Sequence, residues 1–314
     1  MPRPYDVLVA GEINPDLILA GPDLEPRFGQ QEVLAEQADL TIGSSSAIFA
    51  CGAARLGLKV ALIGVTGADL FGRFMLEALM ERGVDVEHVI VDPGQQTGLT
   101  VILNRGADRA ILTHIGAMGA LRADQVGDEL LAMARHLHVG SYFMQTALQP
   151  GLPGLFRRAR ALGLSSSLDT NWDPDGEWAR AAEALPETTI FFPNENEALR
   201  ITGSASLEEA LDRLSDEVPL VAAKLGAAGG QARAGEKAAR APALPVQVAD
   251  TVGAGDSFDA GFLYGYLNGW GLSDCLRLAV ACGSLSTRGS GGTSAQPTLE
   301  EALNTLKQAG MQIG

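Results

Sequence analysis

The sequence predicts an α/β fold, a three-layer sandwich with a mostly parallel central sheet covered by helices on both faces. Three observations carry this. Short apolar runs, each closed by glycine or a polar turn, alternate with stretches of helical periodicity, and repeated strand–helix units of this length argue for parallel strands. The chain has 314 residues, 46% of them hydrophobic, with 38 Gly and 15 Pro, which suits one large domain or a domain with a small appendage. No linker, internal repeat or low-complexity tract interrupts it, so residues 1–314 are expected to form a single domain.

Taken in order, Tyr5 to Ala10 (YDVLVA) is an apolar run ending at Gly11, expected as a central strand. A dinucleotide-binding turn needs three spaced glycines here, and only Gly11 is present, which argues against a nicotinamide enzyme. Asp16 follows the strand end, where open α/β sheets bind ligands; a turn Asp after Pro15 is the competing reading. Residues 21–41 are polar, with alternation towards their end. Thr97–Leu103 and Arg109–Thr113 look like exposed strands joined by a turn at Arg105-Gly106. Ile42 to Gly57 is a Gly/Ser turn and then a small-residue helix, which Ser44, Ser45 or Ser46 can cap. Val60–Val65 is the next strand, followed by a Gly67–Gly72 turn and a helix with Phe74, Leu76, Leu79 and Met80 on its apolar side.

Strands are expected again at Leu137–Tyr142, Leu164–Asp169, Ile190–Pro193 and from Pro219 towards a glycine turn at Gly226–Gly230. His136 and His138 would point the same way on their strand; with no third ligand nearby they read as strand polar residues rather than a metal pair. Asn194-Glu195-Asn196-Glu197 follows the third of these runs. Its oxygens could organise the water shell of Mg²⁺, or its acids could simply open a helix. Ala279–Gly292 is a small-residue helix ending in glycines.

The stretch that points to chemistry is Asp250 to Phe262, DTVGAGDSFDAGF. Phe258, Phe262, Leu263 and Tyr266 recur at helical spacing, so a helix is expected from about Gly255. A glycine turn feeding a helix N-terminus leaves N–H groups bare and aligned with the helix dipole, which makes an anion site. Asp256 sits in that first turn, available as a proton acceptor beside bound anionic oxygen. An anion cradle next to a base is what phosphoryl transfer to a hydroxyl requires. An acid that merely stabilises its helix is the bland alternative.

Composition narrows the partners. The formal net charge of −15 repels nucleic acid and anionic membrane, so neither is expected as a partner. Cys51, Cys275 and Cys282 match no zinc or redox spacing and read as buried thiols. With Asp6 and Glu12 interrupting the only early apolar run, a cytoplasmic location is expected. No GxxxxGK[ST] occurs, which removes the P-loop hydrolases.

DTVGAGDSFDAGF closely resembles the C-terminal signature of the ribokinase-like (PfkB) carbohydrate kinases, and matching pieces run along nearly the whole chain. The resemblance implies an ATP-dependent kinase that phosphorylates a hydroxymethyl group of a sugar. Asp256 would be the catalytic base, and Gly253, Ala254 and Gly255 would supply the anion hole. Asp250 and Thr251 would help to hold a monovalent cation, K⁺ in many members. Asp16, Gly43, Ser44, Ile48, Arg109 and Asp169 fall in the substrate region; Asn171, Asn194, Glu197, Lys224, Gly226 and Gly229 fall in the nucleotide region, with Glu197 near Mg²⁺. The segments at about 12–41 and 95–115 would form a small β lid closing over the sugar, whose edges invite pairing with a second copy.

The departures are as informative. Ser44 stands where the family has a second glycine, Ile48 where it has a sugar-binding Asn, and Met118 where another Asn is common. Lys224 replaces a common Thr, which would set a cation against nucleotide phosphate. No Lys or Arg precedes Arg55 in its segment, so an unphosphorylated acceptor is favoured, with Arg105 and Arg109 of the lid as the opposing sign. The arginine of keto-deoxygluconate kinases is missing near Asp173, which argues against an acidic sugar. A nucleoside kinase of the same family, or a non-catalytic sugar-binding protein on a kinase scaffold, remain the alternatives.

Overall fold

The computed structural model describes residues 3–314 except 107, 172, 174, 175 and 177. β1 (Tyr5–Ala10) opens the main sheet. β2 (Pro15–Ala20) and β3 (Gln37–Ile42) leave it for a second sheet, and α1 (Ser45–Arg55) leads back to β4 (Val60–Ile63). β5 (Val65–Gly67), α2 (Leu70–Glu81), β6 (Val84–Asp85) and β7 (Ile90–Asp92) follow, with β5 and β7 pairing as a separate ribbon. β8 (Leu99–Arg105) and β9 (Asp108–His114) return to the second sheet.

After α3 (Asp128–Ala132), the main sheet resumes with β10 (Ala134–Val139). α4 (Leu152–Ala161) leads to β11 (Ser165–Leu168), and α5 (Ala179–Ala182) to β12 (Ile190–Phe191). α6 (Glu195–Thr202) and α7 (Leu207–Glu217) precede β13 (Leu220–Lys224). β14 (Gly230–Ala234) and β15 (Lys237–Ala241) close the sheet as an antiparallel hairpin. α8 (Ala254–Leu267), α9 (Leu272–Ser286) and α10 (Leu299–Gln308) end the chain.

The main sheet runs β15-β14-β13-β12-β11-β10-β1-β4-β6, and every pair outside the β13–β15 hairpin is parallel. Its central strands β1 and β4 are apolar on both faces because each face is covered. Val7 and Val9 of β1 join a core with α1, α2, α8, α9 and α10, while Leu8 and Ala10 join one with α3 to α7. That split is the period-2 alternation of a strand between two helix layers. The fold class is therefore the α/β sandwich that the sequence predicts.

Element boundaries differ in places for physical reasons. β10 ends at Val139, earlier than the expected 142, because Ser141 takes φ 49 and turns the chain. The β14–β15 hairpin was not expected; its alanine-rich strands carry little strand signature. The second sheet, ordered β3-β2-β8-β9, uses the segments expected to lie outside the main sheet, although residues 22–36 contribute no strand.

β10 and β11 also explain the paired histidines. His136 and His138 are buried and hydrogen-bond Ser165 and Ser167 at 2.7–2.8 Å, and Phe49 stacks on His138. Burial pushes His136 down to about 3, so both rings stay neutral at ordinary pH.

The core depends on large side chains of α8. Phe262 is fully buried and meets Phe192 edge to face at 5.6 Å. Phe262→Ala should lower the urea midpoint by the equivalent of about 3–5 kcal/mol with the slope unchanged; an unchanged midpoint would show that this contact does not stabilise the fold.

Candidate active site

β1 pairs with β4 on one side and with β10 on the other, and the chain extends the sheet outward in both directions from it. Open sheets of this kind bind ligands beyond the strand C-termini at such a reversal. The predicted site residues gather there. Asp169 and Asn171 follow β11, Asn194 and Glu197 follow β12, Lys224 ends β13, and Asp16 arrives on β2 from the second sheet.

The turn into α8 is built for close approach. Gly253 caps the helix in the left-handed region (φ 73) and supplies no side-chain acceptor. A Cβ there would fall 2.6 Å from the Gly292 Cα, so only glycine fits. Ala254 N–H donates to the Thr251 carbonyl and Ser257 N–H to the Gly253 carbonyl. Among the described residues, no hydrogen bond uses the N–H of Gly255 or Asp256. Uncapped N–H groups at a helix start fit an anionic oxygen.

Asp256 is 7% exposed and lies in this first turn. Burial raises the proton affinity of its carboxyl, and Asp169 adds to that; Lys224 and a hydrogen bond with Ser45 oppose it. No ion pair holds Asp256 among the described residues. Its helical neighbour one turn on, Asp259, does have one: Lys224 Nζ lies 3.2 Å from Asp259 Oδ2 and 2.9 Å from Asp169 Oδ2. Lys224, expected against nucleotide phosphate, is thus held between two buried carboxylates.

Asn171 adopts φ 57, which Asn tolerates better than most residues. Its Nδ2 donates to Ser45 Oγ at 2.5 Å and Ser141 Oγ at 2.6 Å. Asn194 and Glu197 form a reciprocal cap on α6. Asn194 N–H and Nδ2 donate to the two Glu197 carboxylate oxygens at 2.9 and 2.6 Å, and Glu197 N–H donates back to Asn194 Oδ1. With both oxygens engaged, this pair fits a Mg²⁺ ion through bridging water rather than by direct ligation. Burial and then Asp169 push Glu197 up to about 7. Gly226 (φ 54) and Gly229 (φ 91) shape the turn after β13.

On the second-sheet side, Asp16 is 6% exposed. A Cβ on Gly43 would come within 2.1 Å of Asp16 Oδ1, so this glycine makes room for the carboxylate. Ser44 occupies its family glycine position at φ 69. Two bonds offset that strain: its hydroxyl donates to the Glu12 carbonyl at 2.6 Å and accepts Ala47 N–H as the α1 cap. Ile48 is 3% exposed and packs against Gly292; it offers no hydrogen bond to a sugar. Asp250 accepts N–H groups from Val252 and Gly291, which pins the loop before α8, and Arg109 of β9 approaches it at 3.9 Å. Thr251 is exposed beside it.

Four site residues escaped the sequence reading. Glu12 is buried and accepts from Ser46 Oγ at 2.5 Å; it directly follows Gly11 at the end of the first apolar run. Asp259 stood in DSFDAGF, one helical turn after Asp256. Ser45 and Ser141 carried no positional signal beyond their neighbouring glycines.

A family model described as pfkB family carbohydrate kinase matches residues 5–299. Among curated proteins, the chain is 29% identical over 308 residues to an ATP-dependent ribose-1-phosphate kinase of Halopiger xanaduensis, covering 96% of this chain and 98% of that one. It is 30% identical over 282 residues to a fructokinase of Klebsiella pneumoniae, covering 84% and 91%. Among solved structures, Arabidopsis thaliana ribokinase complexed with ribose and ATP superposes with a TM-score of 0.82 at 24% identity, covering 98% and 99%, a likeness of fold.

Burial first, and then Asp250 and Glu12, push Asp16 up to about 7. A carboxyl raised in the fold contributes stability that is present below its unfolded value near pH 4 and lost as pH rises through about 7. Asp16→Asn should therefore change stability little at pH 4 and raise it by about 2–4 kcal/mol at pH 8. Equal effects at the two pH values, measured by chemical denaturation, would contradict this.

Proposed function

The chain belongs to the pfkB family of carbohydrate kinases, ATP-dependent phosphotransferases acting on sugars, and from that premise we propose that its acceptor is the hydroxymethyl group of an unphosphorylated sugar and its base is Asp256. The observation that carries this reading is the pairing of a glycine-capped, side-chain-free helix N-terminus with a buried carboxylate in its first turn. Asp16 orients the acceptor hydroxyls, and Gly43 leaves room for it. Asp256 takes the hydroxyl proton as oxygen attacks the terminal phosphorus of ATP, and ADP leaves. The amides from Gly253 to Asp256 hold the negative charge on the transferring group.

Gly226 and Gly229 let backbone approach the nucleotide, and Asn171 lies near its phosphates. Mg²⁺ would neutralise phosphate charge, and Asn194 and Glu197 would hold it through its water shell. Asp250 and Thr251 would be the residues to hold a K⁺ ion, whose charge would support the anion hole. The second sheet acts as a lid whose closure excludes water, the competing acceptor. Its exposed edge strand β9, with Ile111 and Leu112 56% and 59% exposed, offers a homodimer contact.

A sugar phosphate is the second acceptor reading. It is favoured by Arg109, which reaches Asp250 beside the site, and by the name of the Halopiger relative. ADP release measured over ribose, fructose, nucleosides and ribose 1-phosphate, with and without potassium, separates the readings. Turnover on a free sugar and none on ribose 1-phosphate is the expected result; preference for the phosphate would overturn the acceptor assignment. Asp256→Asn should reduce kcat by about 10² or more with nucleotide and sugar affinity nearly intact. Near-normal kcat in that variant would refute the base.

A further inference from the structure

We propose that Lys224 is a positioning residue that acts on Asp256 through Asp169 and Asp259, and that it does not bind nucleotide phosphate. The inference rests on Asp256 being the base. Lys224 ends β13 with 12% of its side chain exposed, and its two carboxylate partners are 3% and 1% exposed. Asp259 lies three residues after Asp256, on the same side of α8. The lysine stem runs beneath the glycine turn: a Cβ on Gly255 would meet Lys224 Cδ at 3.4 Å and Nζ at 3.6 Å. One side chain thereby ties the end of β13, the loop after β11 and the first turns of α8 into a single unit.

The charges around that unit are unequal. Asp256 faces Asp169 from the end of β11, Lys224 from β13, Glu12 from the end of β1, Ser45 from α1 and Asp259 on its own helix. Lys224 also faces Glu197 of α6 and the neutral ring of His138 on β10. Within this set Lys224 is the only cation among the described residues. Burial would strip its proton, but Asp169, Asp259 and Glu197 outweigh burial and keep the ammonium charged.

Buried carboxylates without a counter-ion take up protons, and a protonated Asp256 cannot accept another. Lys224 supplies the counter-charge. Reaching out to a phosphate would leave Asp169 and Asp259 buried and unpaired. A lysine here therefore serves the base from below the anion turn, while the turn's own N–H groups face the transferring phosphoryl group.

The test is the pH dependence of kcat and the KM for ATP with Mg²⁺, in Lys224→Met, Lys224→Gln and Lys224→Arg, beside Asp256→Asn. Removing the cation should move the acidic limb of the kcat profile upward by about one pH unit or more and lower kcat at neutral pH, with the KM for ATP within about two-fold of wild type. Lys224→Arg, which keeps the charge, should restore the limb. An unmoved limb with a KM for ATP raised ten-fold or more would make Lys224 a phosphate ligand and overturn the inference. Failure of both neutral variants to fold, judged by circular dichroism, would make Lys224 a stability element and overturn it too. The two readings fail separately: high turnover in Asp256→Asn removes the base itself, whereas lost turnover there with an unmoved limb in Lys224→Met removes only the role of Lys224.

Discussion

A helix N-terminus without a side-chain cap, abutting a nest of buried acids, is the constraint on which the rest of this structure depends. Gly253 must be glycine because Gly292 lies against it, and the resulting turn leaves the Gly255 and Asp256 amides unclaimed. Such a turn is stable only if its surroundings are rigid. Asp250 supplies part of that rigidity by accepting N–H groups from both Val252 and Gly291. Ile48 supplies another part by packing against Gly292 from α1. Ile48 thus has a structural use: it walls the glycine turn from the side.

The two helix layers fix where that turn sits. β1 is the reversal point of the sheet, and its neighbours β10 to β13 deliver Asn171, Glu197 and Lys224 to one edge. Asp16 comes from a different sheet, so the residues around the turn are carried by two layers of the fold.

Much of this was legible in the sequence, and the reasons are specific. Apolar runs such as YDVLVA end at glycine because parallel strands are buried on both faces and the chain must then turn sharply. DTVGAGDSFDAGF showed both its glycine turn and its helical period. The β14–β15 hairpin was illegible because alanines pack in a strand without the branched residues that mark one. α10 was missed although its signature was present: Thr298 and Glu301 form the reciprocal cap that opens it. The direction of Lys224 could not be read from its position. Motif matching sets it against phosphate, whereas the pull of Asp169 and Asp259, 55 and 35 residues away along the chain, is visible only once the fold brings them together.

The central claim is geometric, and a structure of the enzyme with its best acceptor, ADP and a planar metal fluoride tests it most directly. The account predicts an acceptor hydroxyl about 2.6–3.2 Å from the Asp256 carboxylate, with fluorides about 2.7–3.1 Å from the Gly255 and Asp256 amides. An acceptor hydroxyl held by another side chain, with Asp256 turned onto Lys224, would contradict it.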